Sequence, residues 1–197
     1  MPLSIPPAPA PALRSVLAAL DSPTAVREAR TPALRSAQGP LAPDSALPVH
    51  VLDGILASDE SPRTRLTSWR FLIRSGERAV AAADAKLTAD GWTFSHFFEG
   101  PYIAATENAL RQAEAMNKSY QPRLLSVPQL YMMTLWLHAD TGSDASDPGS
   151  TPAPTDLLVP LAPAPPGIAA HRPHRVSELL PVMTLRLKQS PLLGSPA

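Results

Sequence analysis

The chain has 197 residues, enough for one domain of ordinary size, and its 17 basic and 17 acidic side chains cancel. That balance removes the electrostatic footprint of a dedicated nucleic-acid or anionic-membrane binder. Cysteine is absent, which excludes a disulfide framework, a thiolate metal site and a cysteine nucleophile, and fits a reducing cytoplasm.

Of the 25 prolines, ten lie in residues 1–48 and eleven in residues 148–197. Proline has no amide to donate to a helix or sheet interior, so the flanks are predicted to be disordered and the compact part to span residues 49–188. The first residues lack a basic stretch followed by a continuous apolar one, so no secretory signal is expected. No run reaches the ~18 apolar residues that span a bilayer, so no membrane partner is expected and the location is read as cytoplasmic.

Within the tail of residues 1–48, Leu13, Val16, Leu17 and Leu20 stand at i, i+3, i+4 and i+7, an amphipathic segment over 13–20. So short a helix is marginal alone. It docks on the chain's own domain, serves as a ligand for the groove of a protein partner, or stays part of a disordered tail. Val49 to Leu56 reads as an outer strand or helix, and Asp59-Glu60-Ser61-Pro62 as a loop. From Thr67, Trp69, Phe71 and Ile73 alternate with Ser68, Arg70 and Arg74, which predicts a half-buried strand. Arg63, Arg65, Arg70, Arg74 and Arg78 crowd this stretch, and alternation puts Arg70 and Arg74 on a solvated outer face.

Residues 78–87 have strand spacing, although their alanines equally suit a helix. Asp90-Gly91 is the best hairpin turn in the chain, and Trp92, Phe94, His96 and Phe98 then share one face of a strand. Gly100-Pro101 opens a helix to Lys118 with Ile103, Thr106, Leu110 and Ala113 on its stripe. Arg123 to His138 is the most apolar run and predicts a buried central strand. Leu125, Val127, Tyr131, Met133, Leu135 and Leu137 take one face, and Leu124, Leu130, Met132 and Trp136 the other. Pro128 implies a bulge or break there, and a helix from Pro128 is the competing reading. Residues 139–155 are a polar loop expected to be mobile. Asp156 to Leu161 forms a strand paired with the central one, residues 177–181 a single helical turn, and Met183 to Lys188 an edge strand. Residues 189–197 fray.

Together these elements predict an α+β fold: a single small domain with an antiparallel sheet of about five to six strands packed on one long helix, flanked by Pro-rich disordered segments. The order of elements is similar to that of folds with a curved sheet around a helix, such as cystatin-like domains. A resemblance of order alone implies no function.

No Gly-x-Ser-x-Gly elbow and no Gly-rich phosphate loop occurs, so no catalytic residue and no cofactor is predicted. His171 and His174 flank a proline between arginines, a poor setting for a cation, and no metal is predicted. Asp140, Asp144 and Asp147 lack the spacing of a calcium loop. His96 with Glu99 is the best acid/base pair on offer. The expected function is therefore non-enzymatic, a protein-interaction or assembly module that binds its partner through Leu13, Val16, Leu17 and Leu20. The alternative is a small-molecule-binding or minor enzymatic domain with an aromatic cavity between helix and sheet, lined by Trp92, Phe94, His96, Phe98 and Tyr131. Nucleic acid is not expected as a partner.

Overall fold

A computed structural model describes residues 3–53 and 62–189. Three short helices open the chain, α1 (Ala10–Leu20), α2 (Pro23–Glu28) and α3 (Pro32–Ser36). Four strands follow as an antiparallel meander, β1 (Leu41–Asp53), β2 (Arg63–Ser75), β3 (Arg78–Thr88) and β4 (Gly91–Phe98). The chain returns through α4 (Pro101–Glu114) to β5 (Gln121–Val127), which lies parallel to β1. A second meander, β6 (Met132–His138), β7 (Leu157–Pro160) and β8 (His174–Arg175), leads into α5 (Val176–Gln189). The eight strands form one mixed sheet in the order β4-β3-β2-β1-β5-β6-β7-β8.

This overturns the expected sheet of five to six antiparallel strands on one long helix, and the N-terminal flank is not the disordered segment expected. The Pro-rich N-terminal flank folds because its prolines sit where they cost little. Each of α1, α2 and α3 has proline at its first or second position, where the amide would be unpaired anyway. Pro43 and Pro48 lie in β1 beside register shifts, and β1 pairs with β5 only over Val49 to Val51. The proline-bearing part of β1 therefore behaves as an edge strand, which tolerates a missing donor.

One face of the sheet is covered by α4. Leu47, Leu72, Ala82, Leu124, Leu135, Leu137 and Val159 meet Ile103, Ala109, Leu110 and Ala113 there. The other face has three covers. At one end α1 seats Ala12, Val16 and Ala19 on Trp69, Phe71, Ile73 and the alanines of β3. Small side chains on both surfaces let helix and sheet approach closely, which explains why a strand of alanines is useful here. At the other end α5 seats Val176, Leu179 and Met183 on Leu125, Val127, Trp136 and Leu158. Between them lies the segment 139–155, with Ala145 buried.

Three further expectations are corrected. The stretch 123–138 is a hairpin, with a 3-10 turn at Pro128–Leu130 and Tyr131 in the left-handed region at φ 50°. Val127 pairs with Met132, so parity flips across the turn: Leu125 and Val127 share a face with Met132 and Trp136, whereas Leu135 and Leu137 face α4. The expected edge strand over 183–188 is instead helix. Val176, Leu179 and Met183 stand at helical spacing, and their packing against the sheet holds the helix despite Pro181 within it. Val49 belongs to a central strand, not an outer one. The expectations for residues 54–61 and for the last eight residues lie outside the described residues.

Candidate functional site

The unusual chemistry of this fold lies on the sheet face beneath the segment 139–155. Strand parity brings His50 of β1, Arg123 of β5 and Thr134 and Trp136 of β6 onto that face, and all four are completely buried. Arg123 Nε and Nη2 donate to Gln121 Oε1 at 2.9 and 2.6 Å, and Nη2 also donates to Ser143 Oγ at 2.7 Å. Gln121 Nε2 donates to the Ser143 carbonyl at 2.9 Å. The segment is thus fastened to the sheet by side chains of β5, and Thr64 of β2 adds a hydrogen bond to the Ser150 carbonyl. The guanidinium of Arg123 lies 4.9 Å from the Trp136 ring centroid, a cation–π contact.

Asp156 anchors the stem. Its Oδ2 accepts from Trp136 Nε1 at 2.7 Å, His138 Nδ1 at 2.8 Å and the Ala153 amide at 2.9 Å, and Oδ1 accepts from the Ala139 amide at 2.9 Å. Burial pushes the Asp156 pKa up, but these four donors outweigh it and leave the carboxyl below its usual value. Burial also lowers the pKa of Arg123, opposed by Asp156, Asp147, Asp144 and Asp140. The last three carboxylates come from the segment above, where each closes a local turn onto a backbone amide.

His50 is the exception in this network. Its ring packs edge-on to Trp136 with centroids 5.4 Å apart, yet neither ring nitrogen has a hydrogen-bond partner among the described residues. The Ala145 carbonyl favours the charged ring but stands outside hydrogen-bond geometry. Desolvation first, and the Arg123 charge second, lower its pKa to about 4. Arg123 Nη1 and Thr134 Oγ1 are likewise buried without a partner among the described residues.

The aromatic residues expected to line one cavity are divided. A register shift where Asp84 faces His96 and Ala85 faces Phe94 leaves Ser95 as an extra residue and reverses the alternation of β4. Trp92 and Phe94 pack toward α1, where Phe94 meets Phe97 at 4.5 Å and Phe97 is the buried ring. His96 and Phe98 lie on the α4 side, with Arg70 4.4 Å above the Phe98 ring. Tyr131 stands at a different hairpin and is 90% exposed. A groove of about 420 Å³ does run between α2 and β4, lined by Ala25, Ala29, Phe94, His96 and Phe97 among others. His96 and Glu99 do not meet: Glu99 accepts from the Ala33 amide, and His96 contacts Ser95.

Of the residues expected to bind a partner, Val16 is buried against the sheet and Leu20 packs at its margin, whereas Leu13 and Leu17 point outward at 36% and 41% exposure. Arg70 and Arg74, read as a solvated face, are ion-paired: Arg70 forms a bidentate pair with Asp84, and Arg74 pairs with Asp44 and Glu107.

The buried network left two signals in the sequence, a charge at Arg123 opening the most apolar run and an aspartate, Asp156, directly before an apolar strand. Nothing in the spacing distinguishes His50 from a surface histidine. No protein-family model, no curated protein and no solved structure matches this chain.

Proposed function

We propose that this chain is a non-enzymatic protein-interaction or assembly module acting in the cytoplasm, and that its partner is a protein. The observation that carries this reading is the outward pair Leu13 and Leu17, one turn apart on α1. The helix is anchored by its small residues and offers its large ones to solvent, which suits an added apolar surface. Two of the buried acidic groups support the same reading: Asp84 is held by the bidentate pair with Arg70, and Asp156 by Trp136, His138 and two backbone amides.

Affinity capture from the host's own extract tests it, comparing the native chain with Leu13→Glu/Leu17→Glu. A partner held by the native chain and lost by the double variant, at unchanged melting temperature, supports the proposal; equal capture by both defeats it.

A second reading, small-molecule binding, is favoured by the groove between α2 and β4, where Phe94 and Phe97 form an apolar wall and Glu28 and Arg30 supply polar groups beside it. A metabolite that raises the melting temperature of the native chain but not of Phe94→Ala would promote it over the first.

A further inference from the structure

Segment 139–155 meets the sheet in a manner that depends on the charge state of what lies beneath it. Its attachment rests on Arg123, Gln121 and Thr64, on the Asp156 stem and on the buried Ala145. Under it His50 is completely buried with both ring nitrogens unpartnered among the described residues. A neutral imidazole in that position leaves one N–H and one lone pair unused. A protonated one would bury a full charge next to the Arg123 guanidinium, with neither donor hydrogen-bonded and only the Ala145 carbonyl nearby to favour it among the described backbone groups.

We propose that segment 139–155 is an acid-released strap: it closes over His50 only while that ring is neutral, and protonation of His50 opens it, uncovering Arg123 and the Trp136 indole.

The charged neighbours on every packed element favour this direction. Arg123 of β5 repels a second positive charge, and His138 of β6 adds to the repulsion whenever it is protonated. Asp147 of the strap attracts the charged ring, but it is exposed and already accepts from the Gly149 amide. Asp140 and Asp144 offset Arg123 and likewise serve their own turns, and Asp156 is saturated by four donors. No carboxylate among the described residues reaches either nitrogen of His50. In water the ring regains its ordinary pKa of 6.5, against about 4 when covered, so opening takes up a proton throughout that interval. The opening equilibrium then rises about twentyfold between pH 7 and pH 5.

The chain has no cysteine, so Ala145→Cys supplies a single reporter at a buried position of the strap. Its labelling by 4,4′-dithiodipyridine, divided by the rate of the denatured chain at the same pH, reads the opening. The expected result is a twentyfold rise from pH 7 to pH 5, absent when His50→Gln is added. A core reporter, Ala105→Cys under α4, stays protected throughout. Three results overturn the proposal: labelling independent of pH, the same rise in His50→Gln, or an equal rise at the core reporter.

Discussion

Two of the three covers on the sheet face opposite α4 do the same mechanical work by different chemistry. Helix α1 buries Ala12, Val16 and Ala19 against Trp69, Phe71 and the alanines of β3, so its attachment is almost wholly apolar. Segment 139–155 buries only Ala145 and Pro152 and otherwise holds the face by hydrogen bonds to Arg123, Gln121, Thr64 and Asp156. Apolar covers are forgiving in direction and indifferent to protons. A polar cover over buried groups is neither, because each partner removed leaves a desolvated atom behind.

The largest effect should come from breaking the polar cover at its stem. Asp156→Ala leaves Trp136 Nε1, His138 Nδ1 and two amides without their acceptor and should cost about 3–5 kcal/mol in urea denaturation. A loss below about 1 kcal/mol would show that the stem is dispensable. On the apolar side, Phe97→Ala should cost roughly 3 kcal/mol and Phe94→Ala clearly less, since only Phe97 is buried. The reverse order in denaturation midpoints would contradict the register shift in β4.

Acid should discriminate between the covers at a comparable level. His50 has a folded pKa of about 4 against 6.5 when unfolded, so the unfolded chain binds more protons between those values. Its contribution is complete above pH 6.5 and is lost as pH falls toward 4, by about 3 kcal/mol. Asp156 acts in the same direction lower on the scale: its folded pKa lies below 3.8, so its contribution holds above that value and vanishes as pH falls further. His50→Gln should flatten the upper part of the stability profile and leave the lower part intact. The smallest effect is expected at the outer surface of α1, where Leu17→Ser should shift stability by no more than about 0.5 kcal/mol.

The same contrast explains what could be read from the chain alone. Apolar periodicity announced β2, the Asp90-Gly91 hairpin, β4 and the start of α4, because burial of one face imposes a repeat that survives in the residues. It misled where a turn or an extra residue shifts parity, as at Pro128 to Tyr131 and at Ser95. Proline density suggested a disordered N-terminus, because composition carries no information on whether each proline falls at a helix start or inside a helix. Around 13–20 the large side chains Leu13 and Leu17 drew the stripe, whereas the helix docks on Ala12, Val16 and Ala19, since the alanine surface of β3 rewards close approach over bulk. The buried network was hardest to see. Arg123, His50 and Asp156 come from three distant parts of the chain, and only the parallel pairing of β1 with β5 places the first two together.

Whether His50 is held neutral beneath a polar cover is answered by its own imidazole resonances, followed by NMR from pH 8 to pH 3.5 with His50→Gln used for assignment. The ring should stay neutral while the rest of the spectrum remains folded, and change only as the pH approaches about 4 or the cover opens. A His50 that titrates near 6.5 in a chain whose Ala145→Cys thiol stays protected from labelling would contradict the buried site.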